Sequence, residues 1–222
     1  MSDTDAFWTA VKGGDAAQVQ AQLAAEPALA AARTAGGVSA ALLAVYYGHA
    51  AVGRQIVAAR GNADLFEAAA LGLTERVAEV LAAAPGEANA FAADGFTPLG
   101  LACYFGQPAV VDQLLAAGAD PNLAARNAMR VAPIHSAVAN QDAAVALTIT
   151  TALLAHGAQV NVAQEGGYTP LHETAFHGVA ALTDLLLRHG ADPRAPTSEG
   201  VTPLALAEKH GHAEIAARLR GA

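Results

Sequence analysis

An elongated all-α solenoid of about seven stacked helix pairs, joined by short β-hairpin-like fingers, is the fold this sequence predicts. Three observations carry it. A proline-led block recurs four times from residue 96 onward, a glycine closes three of the four blocks, and the residues around them follow the period of short amphipathic helices.

The blocks "FTPLGLACYFGQ" (96–107), "VAPIHSAVANQD" (131–142), "YTPLHETAFHGV" (168–179) and "VTPLALAEKHGH" (201–212) align on Pro98, Pro133, Pro170 and Pro203, spaced by 35, 37 and 33 residues. An earlier copy, "VSAALLAVYYGH" (38–49), keeps Ser39, Ala44, Gly48 and His49 but has Ala40 in place of the proline. The first half is itself duplicated at an offset of 58, which relates Gly14, Val19, Leu23, Pro27, Gly37 and Gly48 to Gly72, Val77, Leu81, Pro85, Gly95 and Gly106. Two shorter units therefore end at Gly14 and Gly72.

The elements follow in order. Unit one ends its first helix at Gly14 and carries Trp8, read as closing the N-terminal end of the stack. Unit two starts its first helix at Ser39 and stops at Gly48. Only 24 residues separate Gly48 from Gly72, so the finger there is expected to be missing, with Asn62 to Asp64 turning directly into the next helix. Unit three continues after Gly72 as the amphipathic "GLTERVAEV". In unit four the Thr97 hydroxyl caps free amides and Pro98 presets the first turn; the helix stops at Gly106, where a left-handed residue is needed. Its second helix shows Val110, Val111, Leu114 and Leu115 one turn apart and ends in "AAGADPN". Unit five is irregular twice. Its finger is two residues longer, with Arg130 in place of the finger glycine and Ala132 in place of the capping threonine, and Gln141 to Gly157 carries four residues more than Gly106 to Gly118. Unit six runs from Pro170 past Gly178 to "RHGADPR". Unit seven, from Pro203, mixes Lys209, Arg218 and Arg220 with Glu208 and Glu214, the polar outer face a terminal repeat requires. A pair this short cannot bury its own apolar face, so neighbouring pairs must stack into one domain over 1–222. Residues 5–63 are expected as the N-terminal cap, 64–195 as the central units and 196–222 as the C-terminal cap.

The pattern resembles the ankyrin repeat, whose unit of about 33 residues contains T-P-L-H-x-A. The resemblance covers essentially the whole chain, and in size the chain is similar to small, stand-alone bacterial members of that family. It implies a non-catalytic protein-interaction module that binds through a concave groove and its finger tips.

Aromatics populate that expected groove. With ~100° per residue, Leu99, Ala102 and Cys103 share the core face, while Tyr104 and Phe105 fall ~150° and ~110° from its centre. The same arithmetic turns Phe176 and His177, and Tyr46 and Tyr47, away from the core. Five of the eleven aromatics thus sit at two repeat positions, and Phe96 and Tyr168 occupy the fingers. Two readings stand side by side: a partner-binding surface, since aromatics commonly act as hot spots, or packing along the groove. Arg126, Met129 and Arg130 in the longer finger are a second candidate, since Met and Arg are enriched in interface cores; the other reading is a loop filling space. The expected partner-binding set is Tyr46, Tyr47, Phe96, Tyr104, Phe105, Met129, Arg130, Tyr168, Phe176 and His177. An alternative is a receptor for a small planar ligand in the same groove.

Composition narrows the partners. The chain is 54% apolar and 14% charged, with a net charge of −8 and no basic run, so nucleic acid is not expected, and a protein with a basic patch is. The start "MSDTDAFWTAVKGGD" lacks a basic, apolar leader, and no apolar run reaches membrane length; with the single Cys103, this reads as a soluble, cytoplasmic protein, expected as a monomer. "HETAFH" (172–177) imitates a zinc motif, but its spacing of five leaves His172 and His177 about 140° apart on a helix. No metal, cofactor or catalytic constellation is expected. His135 and His172 are read as bonding neighbouring backbone, His49 and His212 as following helix-ending glycines, and Cys103 as a buried core residue.

Overall fold

The computed structural model describes residues 3–222, with side chains from residue 5 onward. Within them the chain forms seven antiparallel helix pairs: α1 (Asp3–Gly13) with α2 (Ala16–Ala25), α3 (Ala40–Tyr46) with α4 (Ala50–Arg60), α5 (Leu65–Leu71) with α6 (Thr74–Ala83), α7 (Pro98–Tyr104) with α8 (Pro108–Ala116), α9 (Pro133–Val138) with α10 (Ala143–Ala155), α11 (Pro170–His177) with α12 (Ala180–Arg188), and α13 (Pro203–Lys209) with α14 (Ala213–Arg220). Successive first helices pack on one another as an inner layer and the second helices form the outer layer.

Local chemistry sets the helix starts. The hydroxyls of Ser39, Thr97 and Thr202 accept from the amides of Leu42, Gly100 and Ala205 at 3.1, 3.0 and 3.2 Å. Each cap of this kind stabilises by about 1 kcal/mol. Ala132 offers no such group, and α9 starts uncapped. The four residues added in unit five lengthen α10 to 13 residues against 9 for α8, one further helical turn. After α2 and α6 the chain takes one turn of 3-10 helix, at Pro27–Ala31 and Pro85–Asn89, a feature absent from the sequence reading.

Alanine lets the inner helices approach closely: Ala40, Ala41, Ala44, Ala68, Ala69, Ala102, Ala137 and Ala175 are all fully buried. Cys103 lies among them, and burial pushes its thiol pKa up. Behind this layer, asparagines clip unit to unit. Asn89, Asn122 and Asn161 each donate to the carbonyl of the next unit's turn glycine, Gly118, Gly157 and Gly190, at 2.9 to 3.0 Å.

The fingers are narrow turns rather than extended strands. Backbone bonds close them at Thr34–Val38, Ala92–Phe96, Ala125–Val131, Gln164–Tyr168 and Thr197–Val201, each 2.8 or 2.9 Å. The two extra residues of unit five lie inside the third loop, where Arg130 holds φ 51°, the single non-glycine residue with positive φ among those described. It occupies the backbone conformation of Gly95 and Gly200 at the same finger position, which costs a side-chain-bearing residue about 1 kcal/mol or more. Successive fingers are joined by Arg126 N–H to Gly95 O, Glu165 N–H to Met129 O and Ser198 N–H to Gly166 O.

Between units two and three the finger is absent. Gly61 takes a left-handed turn and Asp64 caps α5 directly, its side chain accepting from the Glu67 amide at 2.9 Å. The neighbouring fingers meet over the gap: a Cβ placed on Gly37 would lie 2.9 Å from the Ala93 methyl. Behind the gap α4 and α6 barely touch, leaving a crevice of about 450 Å³ beside Val57, Leu73 and Arg76. The stack is closed on its finger side and open on its outer side at this step.

Candidate functional site: the aromatic groove

Closure at the fingerless step brings unit two against unit four. The Tyr46 ring, at the end of α3, lies 5.5 Å from Phe105, although a complete unit separates their helices in the chain. Its hydroxyl donates to Asp94 Oδ2 at 2.6 Å. Burial first, and then the bond to the Asp94 carboxylate, raise the phenol pKa above its ordinary value. Phe105 in turn meets Tyr104 edge to face at 5.0 Å.

This aromatic wall forms one end of a pocket of about 310 Å³ between the inner helices and the fingers. Tyr46 and Tyr104 supply that end with Leu101. The fingers supply Phe96, Met129, Val131 and Gln164; His135, Ser136 and Ala139 line the floor from α9, and Glu173 closes the far end from α11. Tyr104 is 52% exposed and Met129 58%, so large apolar area faces solvent at this pocket. Gln164 Nε2 donates to Glu173 Oε1 at 3.0 Å, fixing the carboxylate at the rim.

His135 shows what the cap substitution does locally. Its Nε2–H donates to the Tyr168 carbonyl at 3.2 Å, the backbone bond the sequence suggests. Its buried Nδ1 has no partner among the described residues. The equivalent His172 places Nδ1 2.8 Å from the Thr169 hydroxyl and 3.1 Å from the Thr169 amide that donates to it, while its Nε2–H donates to the Val201 carbonyl at 3.1 Å. Ala132 has no hydroxyl to offer. Burial pushes His135 down to about 4 and lowers His172 as well, so both rings are neutral at neutral pH.

The ten residues singled out from sequence separate in space. Tyr46, Phe96, Tyr104 and Met129 line the pocket; Phe105 stands behind its aromatic wall. Tyr168 is half-buried, its ring 5.7 Å from His172. Phe176 and His177 lie in a second cluster, with Phe176 4.3 Å from His210 and 4.9 Å from His177. Tyr47 is 52% exposed outside the pocket. Arg130 is exposed on the finger beyond Met129, and Arg126 stacks 3.8 Å over Phe91. His172 is buried while His177 is exposed beside Glu173 at 3.8 Å, so the two do not share a site. Among the described residues no group of three or more His, Cys, Asp or Glu is placed to hold a metal ion.

Sequence reasoning missed Leu101, Val131, Ser136, Ala139, Gln164 and Glu173. A usable signal existed. Leu101, Ser136 and Glu173 all stand three residues after the block proline, and Tyr104 and Ala139 six after it, the one-turn spacing of a single helix face. Residues seven after the proline, such as Phe105 and His177, do not line the pocket. Weighing aromatics alone hid this stripe.

Phe7, rather than its neighbour Trp8, fills the core at the first unit; Trp8 is half-exposed with its ring 5.7 Å away. No helix of the described residues is long and apolar enough to cross a membrane. A family model described as ankyrin repeats matches the chain in three copies, over residues 65–163 and 134–222. No curated protein matches it.

Proposed function

Since the chain belongs to the ankyrin-repeat family, whose repeats generally serve protein–protein interaction without catalysis, we propose that it binds a partner protein through the concave groove and finger tips. The observation that carries this is the exposed aromatic pocket at the centre of the groove, where Tyr104 and Met129 hold large apolar area in solvent. Such area at a concavity is costly unless a partner covers it, and buried tyrosines are recurrent anchors of affinity. The net charge of −8 favours a partner with a basic patch, chiefly by speeding encounter. We place Tyr46, Phe96, Tyr104, Phe105, Met129 and Arg130 at this contact, with Tyr47, Tyr168, Phe176 and His177 as its outlying members. The partner is not nucleic acid, and the protein acts as a cytoplasmic monomer, its first two and last units serving as caps.

Affinity capture from cell extract with wild-type protein and Tyr104→Ala tests this. The groove reading requires a protein held by the first and lost from the second; an identical captured set contradicts it. A second reading, a receptor for a small planar ligand, draws on the pocket's volume of about 310 Å³, at the lower end of the range for small-molecule sites. A ligand retained by the purified protein would favour it.

A further inference from the structure

We propose that the groove pocket receives one arginine side chain of the partner, an assignment that rests on the protein-binding reading above. The pocket has three aromatic walls, Tyr46, Phe96 and Tyr104, and a single formal charge, the Glu173 carboxylate. No lysine or arginine lines it. Of the two arginines in the roofing finger, Arg126 is held 3.8 Å over Phe91 and Arg130, between Met129 and Val131, is exposed; neither is in the lining.

Aromatic faces carry negative quadrupole potential, so a pocket lined by three rings and one carboxylate suits a cation better than an anion. His135 adds no opposing charge at neutral pH, because its ring is neutral and fully desolvated. The Tyr46 hydroxyl proton is committed to Asp94, and the Gln164 amide nitrogen to Glu173. What remains are two accepting oxygens, on Tyr46 and Gln164, beside the second N–H of the Gln164 amide. The two accepting oxygens and the Glu173 carboxylate favour an occupant that brings donors and positive charge.

Arginine fits this inventory better than lysine. Its aliphatic stem can lie along Met129 while its planar, weakly hydrated guanidinium stacks on a ring and donates in two directions. Lysine keeps a compact, strongly hydrated charge that gains less from aromatic walls. A neutral apolar side chain would use the walls but leave the charge of the Glu173 carboxylate, whose bonded partner is the neutral Gln164 amide, uncompensated.

The probe is Nα-acetyl-arginine methylamide, with the lysine and norleucine analogues as comparators. Binding is read from the methyl resonance of Met129, one of two methionines in the chain. The arginine probe should saturate with Kd on the order of 1 mM, the scale set by ligand efficiency for so small a molecule. The norleucine probe should bind at least about fivefold more weakly, and Glu173→Gln should weaken the arginine probe at least about fivefold, the lower range of a desolvated cation–aromatic and charge-pair contribution. Lysine should fall between. Equal affinity for arginine and norleucine, indifference to Glu173→Gln, or no saturation by any probe overturns the assignment. If the assignment fails while partner capture still depends on Tyr104, the groove reading survives it. If capture itself ignores Tyr104, the groove reading is what fails.

Discussion

The Tyr46 hydroxyl donates a 2.6 Å hydrogen bond to Asp94, tying the second helix pair to a finger that precedes the fourth. The missing finger makes this contact possible, because the flanking fingers close over the gap and carry Asp94 towards α3. One edge of the pocket therefore depends on a bond between units that are not neighbours.

Tyr46→Phe removes the bond and leaves Oδ2 of the half-buried Asp94 carboxylate without its donor, while Oδ1 still accepts from the Phe96 amide at 3.3 Å. The expected loss is about 1 kcal/mol, or roughly 2–4 °C in Tm for a domain of this size, measured by thermal unfolding. No change would mean that water replaces the phenol without cost.

Ala132→Thr should stabilise the protein. The new hydroxyl would cap α9 and meet the unpartnered Nδ1 of His135, as Thr169 does for His172. A gain of about 1 kcal/mol is expected, read from the urea midpoint at constant slope. A lower midpoint would show that the closely packed Ala132 site cannot take the larger side chain.

Acid should weaken the fold before carboxylates are fully protonated. The folded-state pKa of His135 is depressed to about 4 from 6.5. Between these values the unfolded chain binds the proton and the native chain does not. The contribution is thus complete above pH 6.5 and is lost as pH falls towards 4, at up to about 1.4 kcal/mol per unit for one group. His172, also lowered by burial, adds loss of the same sign. His135→Gln should flatten this part of the stability profile, measured by urea unfolding from pH 7.5 to 4; an unchanged slope would place the titration elsewhere.

Arg60 should be the costliest single charge to remove. It pairs with Glu67, which is 1% exposed and also accepts from the Asp64 amide at 3.0 Å. Arg60→Met strands that carboxylate, at an expected cost of about 3 kcal/mol. The double variant Arg60→Met/Glu67→Leu should recover much of it. Equilibrium unfolding of the three proteins separates these effects.

Legibility followed the range of the physics. Thr97, Pro98 and Gly106 specify a helix start and stop through bonds within a few residues, so the units can be read from sequence. Arg130 could likewise be recognised as a finger-glycine substitute from its alignment with Gly95, and it holds positive φ. The absence of a finger after Arg60 was legible from a count of residues. Its consequence was not: the approach of Tyr46 to Phe105 depends on how the stack closes over unit three, a sum of many packed interfaces. The pocket was half hidden for a second reason. Ser136 and Glu173 belong to it by repeat position rather than by aromatic character, and the 3-10 turns at Pro27 and Pro85 gave no distinct signal beyond the prolines.

The most direct measurement is the affinity of the captured partner for the wild type and for two single variants, Tyr104→Ala inside the pocket and Tyr47→Ala outside it. Both rings are 52% exposed, and thermal unfolding of each variant shows whether loss of the Tyr104 contact with Phe105 disturbs the fold. Binding through the pocket predicts at least about a tenfold loss for Tyr104→Ala, the scale of an interface hot spot, and a clearly smaller loss for Tyr47→Ala at the edge of the contact. Equal affinity of all three proteins would contradict it.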